Sequence, residues 1–200
     1  MSRPMRVLVV VAHPCSDSLT HAAAAAAVAG ARRAGHEVDV VDLYAEGSRV
    51  AMTYEERHAY HGDEPLLDPL AARHAELVRA AQTLVFVYPT WWSGLPAIMK
   101  GWLERVLVRG VAFDFHPRTG KVVPRLRHVR RIVGISTYGS PRLYVRAIND
   151  NGRRILVRAL RMSCGIRART TWLALYGVDT SRPEERARYI ERIERRMAAL

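Results

Sequence analysis

Three short stretches of this chain carry residue types suited to gripping a flat, charged ligand. The richest begins Tyr88-Pro89-Thr90-Trp91-Trp92-Ser93-Gly94-Leu95-Pro96 and runs on to Val106. It packs two tryptophans, a glycine and a proline between an apolar run and a helical pattern. Flat side chains and free backbone N–H groups at such a turn suit a planar heterocycle with polar edges. Two adjacent tryptophans in one turn cannot both enter one core. We therefore read Thr90, Trp91, Trp92 and Ser93 as a ligand wall. Lys100 and Trp102 lie further on, inside the helix, and read as structural. The second stretch, Ala12-His13-Pro14-Cys15-Ser16-Asp17-Ser18-Leu19-Thr20-His21, has neither the G-x-G-x-x-G of a dinucleotide turn nor the G-K-[ST] of a P-loop. It still offers a phosphate the amides of Ser18, Leu19 and Thr20 at a helix start, two hydroxyls, and His13 as a donor. The same residues would equally serve as an N-cap and a turn. The third stretch, Ser136-Thr137-Tyr138-Gly139-Ser140-Pro141, is a hydroxyl-rich turn with donor amides, a weak signal alone.

These stretches need elements to hold them. Met5–Ala12 is a continuous apolar run, as in a strand buried on both faces. Ser18–Ala34 reads as a helix closed by Gly35, and Glu37–Leu43 as a second strand. Thr53–Tyr60 and Pro69–Ala81 read as helices, Thr83–Tyr88 as strand three and Pro96–Val108 as helix. Val111–Arg127 has no clear periodicity and reads as a long excursion. Arg131–Thr137 is strand four. Arg142–Met162 is mostly helix with a break near Asn149-Asp150-Asn151-Gly152. Arg169–Tyr176 is strand five, and Pro183–Ala199 closes the chain as a helix with Pro183 near its first position.

Five strands alternating with helices predict an α/β fold. Right-handed crossovers favour a doubly wound, five-stranded parallel sheet in the flavodoxin-like order 2-1-3-4-5. No linker or repeat divides the chain, so residues 1–200 are expected to form one domain. In that order strands one, three and four are neighbours, and all three stretches meet at the carboxyl edge. A phosphate at the first and a flat ring between the others describe a flavin nucleotide.

Composition trims the alternatives. Only Cys15 and Cys164 are cysteines, which suggests no disulfide framework or zinc spacing and points to a cytoplasmic protein with no metal. The apolar run Val7–Ala12 is too short for a signal or a membrane span, so no membrane insertion is expected. Net charge is +12, and of 31 basic residues only Lys100 and Lys121 are lysine. Many arginines sit beside glutamates near the C-terminus, as on a solvated helix face with i,i+4 pairs. No nucleic-acid partner is expected, while an anionic cofactor would gain from the field.

The motifs A-H-P-x-x-x-S-x-T, Y-P-x-W-W-S-G-x-P-A-x-x-K-G-W-x-E-R-V, G-x-A-F and S-T-x-G-S resemble those of the flavodoxin-fold NAD(P)H:quinone oxidoreductases. Relatives include the modulator-of-drug-activity and potassium-efflux ancillary flavoproteins. The resemblance covers residues 5 to about 198. It implies a tightly bound FAD or FMN, NAD(P)H as co-substrate, a quinone-like acceptor, and a homodimer with the active site at the interface. It implies that His13 and Ser18, Leu19, Thr20 and His21 hold the flavin phosphate or pyrophosphate. Thr90, Trp91, Trp92 and Ser93 would line the ring, and Ser136, Thr137, Tyr138 and Gly139 its pyrimidine end. Phe113 and Phe115 match an aromatic pair that closes the pocket from the partner subunit, and Tyr144 a tyrosine near flavin O2. Hydride relay through one shared site implies ping-pong kinetics.

Two departures stand out. No histidine follows Tyr144 in Ala147-Ile148-Asn149-Asp150-Asn151, so a Tyr–His proton relay is not expected. Tyr138 stands where the family commonly has glycine, and a ring there narrows or reshapes the pocket. An acidic electron carrier of flavodoxin type is disfavoured by the +12 charge. A flavin-binding ancillary subunit, or a nitro- or azo-reductase with the same site, shares every motif.

Overall fold

The computed structural model describes residues 3–165 and 167–200. Strand β1 (Arg6–Val11) leads through a loop into α1 (Leu19–Arg33) and β2 (Glu37–Asp42). Helices α2 (Tyr54–Ala59) and α3 (Pro69–Ala80) precede β3 (Thr83–Thr90) and α4 (Ala97–Val106). The excursion that sequence periodicity left featureless holds an antiparallel ribbon, β4 (Phe113–Phe115) and β5 (Val122–Pro124). Three-residue strands are too short for a period to register. Then come β6 (Arg131–Tyr138) and α5 (Arg142–Ala147). The next helical stretch begins as α6 (Asn151–Arg154), widens to a π-helix over Ile155–Leu160 and ends as α7 (Arg161–Cys164). β7 (Arg169–Tyr176) and α8 (Pro183–Ala198) complete the chain. Among the described residues no helix is long and apolar enough to cross a membrane.

The main sheet is parallel with order β2-β1-β3-β6-β7, the predicted 2-1-3-4-5. Its central strands need no polar face because helices cover both sides. Side chains alternate between two cores. Leu8 and Val10 join α3, α4 and the π-helix through Ala75, Met99, Trp102 and Leu156. Val7, Val9 and Val11 face α1 and α8 through Ala23, Ala27, Ile193 and Met197. Each such aliphatic side chain contributes about 1.5–3 kcal/mol on burial. The alanine run suits this layer because α1 lies tight against α8. A Cβ on Gly30 would stand 2.3 Å from the Glu194 carbonyl oxygen.

The expected i,i+4 pairs on the last helix are not formed among the described residues. Glu194 instead reaches Arg33 on α1 at 2.5 Å, and Arg192 donates to the Ala174 carbonyl at 2.7 Å. Arg186 and Arg192 of α8 thus bond outward to neighbouring segments.

Candidate functional site

The loop after β1 ends at Ser18, which caps α1. Its Oγ accepts the His21 N–H at 3.3 Å, and the first intrahelical bond runs from Ala22 N–H to the Ser18 carbonyl. The amides of Leu19 and Thr20 therefore precede the hydrogen-bond ladder of a 15-residue helix. Free amides at the positive end of a helix dipole favour anions. The Ser18 hydroxyl and His21 are engaged within the protein. His21 Nδ1 lies 3.1 Å from Ser18 Oγ and Nε2 lies 2.9 Å from Asp42. Thr20 is buried. His13 Nδ1 accepts the Cys15 N–H at 3.0 Å, which leaves Nε2–H as a donor.

The His13 ring lies 5.8 Å from that of Trp91, which joins the first loop to the second. There Gly94 N–H donates to the Trp91 carbonyl at 3.0 Å and closes a four-residue turn. Both central residues are left-handed, Trp92 at φ 46° and Ser93 at φ 58°, as in a type I′ turn. Such turns usually hold Asn-Gly. Trp92 and Ser93 each carry about 1–3 kcal/mol of backbone strain here. The turn projects Trp92 fully into solvent and leaves Trp91 41% exposed. Trp102 is core, its Nε1–H donating to His74 at 3.1 Å. Gly152 backs the turn, since a Cβ there would lie 3.1 Å from the Gly94 carbonyl carbon.

Strand register brings the third loop alongside. Thr90 pairs with Tyr138 and Tyr88 with Ser136. The Thr90 and Ser136 hydroxyls share a hydrogen bond of 2.9 Å. Tyr138 adopts an ordinary strand conformation, so no glycine-like backbone is needed there. Its ring stacks on Tyr176 with centroids 4.7 Å apart. Its hydroxyl donates to Asp150 at 3.1 and 3.2 Å. Burial and the Asp150 charge push the Tyr138 phenol well above its usual range.

Of the residues singled out in the sequence, Thr90, Trp92, Ser93, Tyr138, Gly139 and Tyr144 line one cleft of about 230 Å³. Ser136 and Thr137 lie buried beneath it. Phe113 and Phe115 are not in this cleft; they sit on the β4–β5 ribbon beside Tyr60 and His61. Ser140, Val145, Ile148 and Asp150 line the cleft and were not singled out. The one signal for Asp150 was the turn-forming run Asn149–Gly152, which reads only as a helix break. Asn149 and Asp150 are both left-handed, at φ 78° and 42°. Burial raises the Asp150 carboxyl above the usual range despite the Tyr138 bond and the nearby Arg153 and Arg154.

Known proteins share this fold. A family model described as flavodoxin-like fold matches residues 5–199. NAD(P)H dehydrogenase (quinone) 1 of Rattus norvegicus is 28% identical over 96% of this chain and 76% of its own length. The Cavia porcellus protein of that name is 32% identical over 72% of this chain and 57% of its own. Matches to curated relatives span from 45% to 85% of their length. The solved NAD(P)H:quinone oxidoreductase of Methanothermobacter marburgensis shares the fold, with a TM-score of 0.85, 24% identity and 98% coverage of both chains. By its family match and its sheet order alike, the chain belongs to the flavodoxin-like fold family, in the company of proteins named as NAD(P)H:quinone oxidoreductases.

Proposed function

We propose that the protein is a flavin-dependent NAD(P)H oxidoreductase that reduces quinones or similar small acceptors by two electrons. One observation carries this reading. A helix N-terminus with free amides, a strained turn presenting two tryptophans, and a hydroxyl-lined strand end converge at the carboxyl edge of one sheet. Ligands bind at that edge in open α/β sheets. The donor set fits a flavin. The Leu19 and Thr20 amides and His13 Nε2 suit its phosphate, FMN or FAD, with Ser18 and His21 fixing the helix start. Trp91, Trp92, Thr90 and Ser93 suit the flat ring, and Ser136 to Gly139 its pyrimidine edge. Tyr144, half-exposed at the rim, suits the charge-bearing side. A bound flavin supplies the hydride chemistry. The chain positions the two substrates in turn at one place, which predicts ping-pong kinetics.

The cleft volume supports a homodimer. At about 230 Å³ it falls below the ~300–1,000 Å³ of self-sufficient ligand sites. Trp92 and Tyr144 of the cleft are exposed, as is neighbouring Leu143; Phe115 is exposed elsewhere on the chain, beside a Phe113 that packs on the core, and would close the cleft of a second copy. Cys15 and Cys164 are unpaired, in keeping with a reducing cytoplasm.

Two measurements test the reading. Purified protein should take up FMN or FAD stoichiometrically and oxidise NADH or NADPH with a quinone; a colourless protein that retains neither flavin refutes it. Trp92→Ala should weaken flavin binding about 5- to 150-fold, the worth of one lost aromatic stack of ~1–3 kcal/mol, with melting temperature unchanged. Fluorescence titration reads the affinity, and wild-type affinity and turnover in that variant would remove the turn from the site.

A further inference from the structure

We propose that Asp150, held on the cleft wall by the Tyr138 hydroxyl, is the acid that protonates the bound acceptor. The inference rests on the function proposed above and assigns the proton that two-electron reduction of a quinone requires. The other side-chain donors of the lining are hydroxyls and the Trp92 indole, all weaker acids than a carboxyl. Among its lining residues Asp150 is the only carboxyl. It does not sit there by default, because the backbone turns left-handed at Asn149 and Asp150 in succession to place it. Asn and Asp are the non-glycine residues that adopt this conformation most readily, so the turn is built from the types it suits.

The surroundings suit a group that loses and regains a proton. Tyr138 Oη–H points at both carboxyl oxygens, at 3.1 and 3.2 Å. In the protonated acid one oxygen accepts that bond while the other carries its proton toward the cleft. After donation the Tyr138 bond remains, so the carboxylate left behind is not stranded. Behind Tyr138 the hydroxyls continue. Thr90 is a partner of the phenol and shares its other bond with Ser136. The groups facing Asp150 from every side are Tyr138 on β6, Tyr176 on β7, Tyr88 on β3, and Arg153 and Arg154 on α6. The tyrosines stay neutral, their phenols pushed up by burial, while the Tyr138 bond, the Arg153 backbone N–H and the charges of the two arginines favour the carboxylate. Burial outweighs them and holds the acid above its usual range.

The step balances. The acceptor's conjugated carbonyl system gains a hydride from the reduced cofactor, and one oxygen becomes an anion. That oxygen takes the Asp150 proton as the carboxyl O–H bond breaks, giving the neutral hydroquinone. The carboxylate then regains a proton from solvent.

The test compares wild type with Asp150→Asn, which keeps shape and the Tyr138 contact. Reduced holoenzyme is mixed with a para-quinone across pH, and reduction by NAD(P)H is followed separately. In wild type, acceptor reduction should slow as pH rises through the Asp150 titration. In Asp150→Asn it should be about a hundredfold slower and flat with pH, a loss well beyond any change in reduction by NAD(P)H. The flavin-free protein gives a second readout by carbon NMR of the carboxyl. Asp150 should titrate above the ordinary aspartate range, and higher still in Tyr138→Phe, which removes a bond favouring the carboxylate. Wild-type acceptor rates in Asp150→Asn, or an ordinary titration, overturn the proposal and leave the oxidoreductase reading intact. Failure to bind flavin or oxidise NAD(P)H overturns both.

Discussion

Replacing Arg105 by leucine should cost about 3–5 kcal/mol of stability, the typical penalty for removing one partner of a buried ion cluster. Arg105 is 7% exposed on α4. Its Nε donates to both Glu56 oxygens at 3.1 and 3.2 Å, its Nη2 to Asp68, and its Nη1 to the Arg49 carbonyl at 3.1 Å. Both acids have second duties. Glu56 forms a reciprocal capping box with Thr53 at the start of α2, and Asp68 caps α3 through the Leu70 N–H at 2.9 Å. One guanidinium thus ties three helices. Leucine would leave the Glu56 and Asp68 carboxylates, beyond their backbone caps, with Arg49 as their remaining cationic partner among the described residues. Urea unfolding measures the loss. Acid gives a second signature. Burial alone would raise the Asp68 carboxyl, but its bonds from Arg105, Leu70 and Arg49 outweigh that and hold it at about 2. Since the folded value lies below the unfolded one, the stabilisation is present above pH ~4 and lost as pH falls toward 2. The wild-type melting temperature should drop steeply over that interval, and the Arg105→Leu temperature less so.

Gly101→Val should cost about 3 kcal/mol, the upper end for overpacking, although valine has the better helix propensity. A Cβ on Gly101 would stand 1.9 Å from the Val50 carbonyl oxygen. The obstacle is backbone, and the neighbouring Arg49 carbonyl is already bonded by Arg105. Gly101 and Arg105 are four apart and share the face of α4 that clamps this loop. Thermal unfolding of the single and double variants should show non-additivity, because either change frees the loop for the other. α4 follows the tryptophan turn directly, so a tilted helix should also weaken flavin binding. A variant as stable as wild type would show that the loop yields.

Much of this architecture was legible because its signals are local. Val7–Val11 and Leu84–Val87 are apolar without alternation, and only a strand covered on both faces explains that. Trp102 fell on a helical period and is core; Trp91 and Trp92 fell on none and are exposed. Less local features escaped. The π-helix at Ile155–Leu160 keeps helical composition, so nothing in residue type marks its wider turn. Asp150 becomes a cleft residue only through the register of β6 with β7 and two left-handed angles, neither written in spacing. His21 seemed a ligand-facing residue from its place, yet its ring bonds to Ser18 and Asp42, a partner 21 positions away.

The left-handed pair Trp92–Ser93 has an evolutionary corollary. Two strained residues represent several kcal/mol that any random drift toward Asn-Gly would recover. A population selected for heat tolerance alone would discard the tryptophan early, because nothing in folding rewards it. A tryptophan at such a position answers to a demand other than durability, and a stability-driven mutational scan would mark the turn as the place where the molecule improves by losing its purpose.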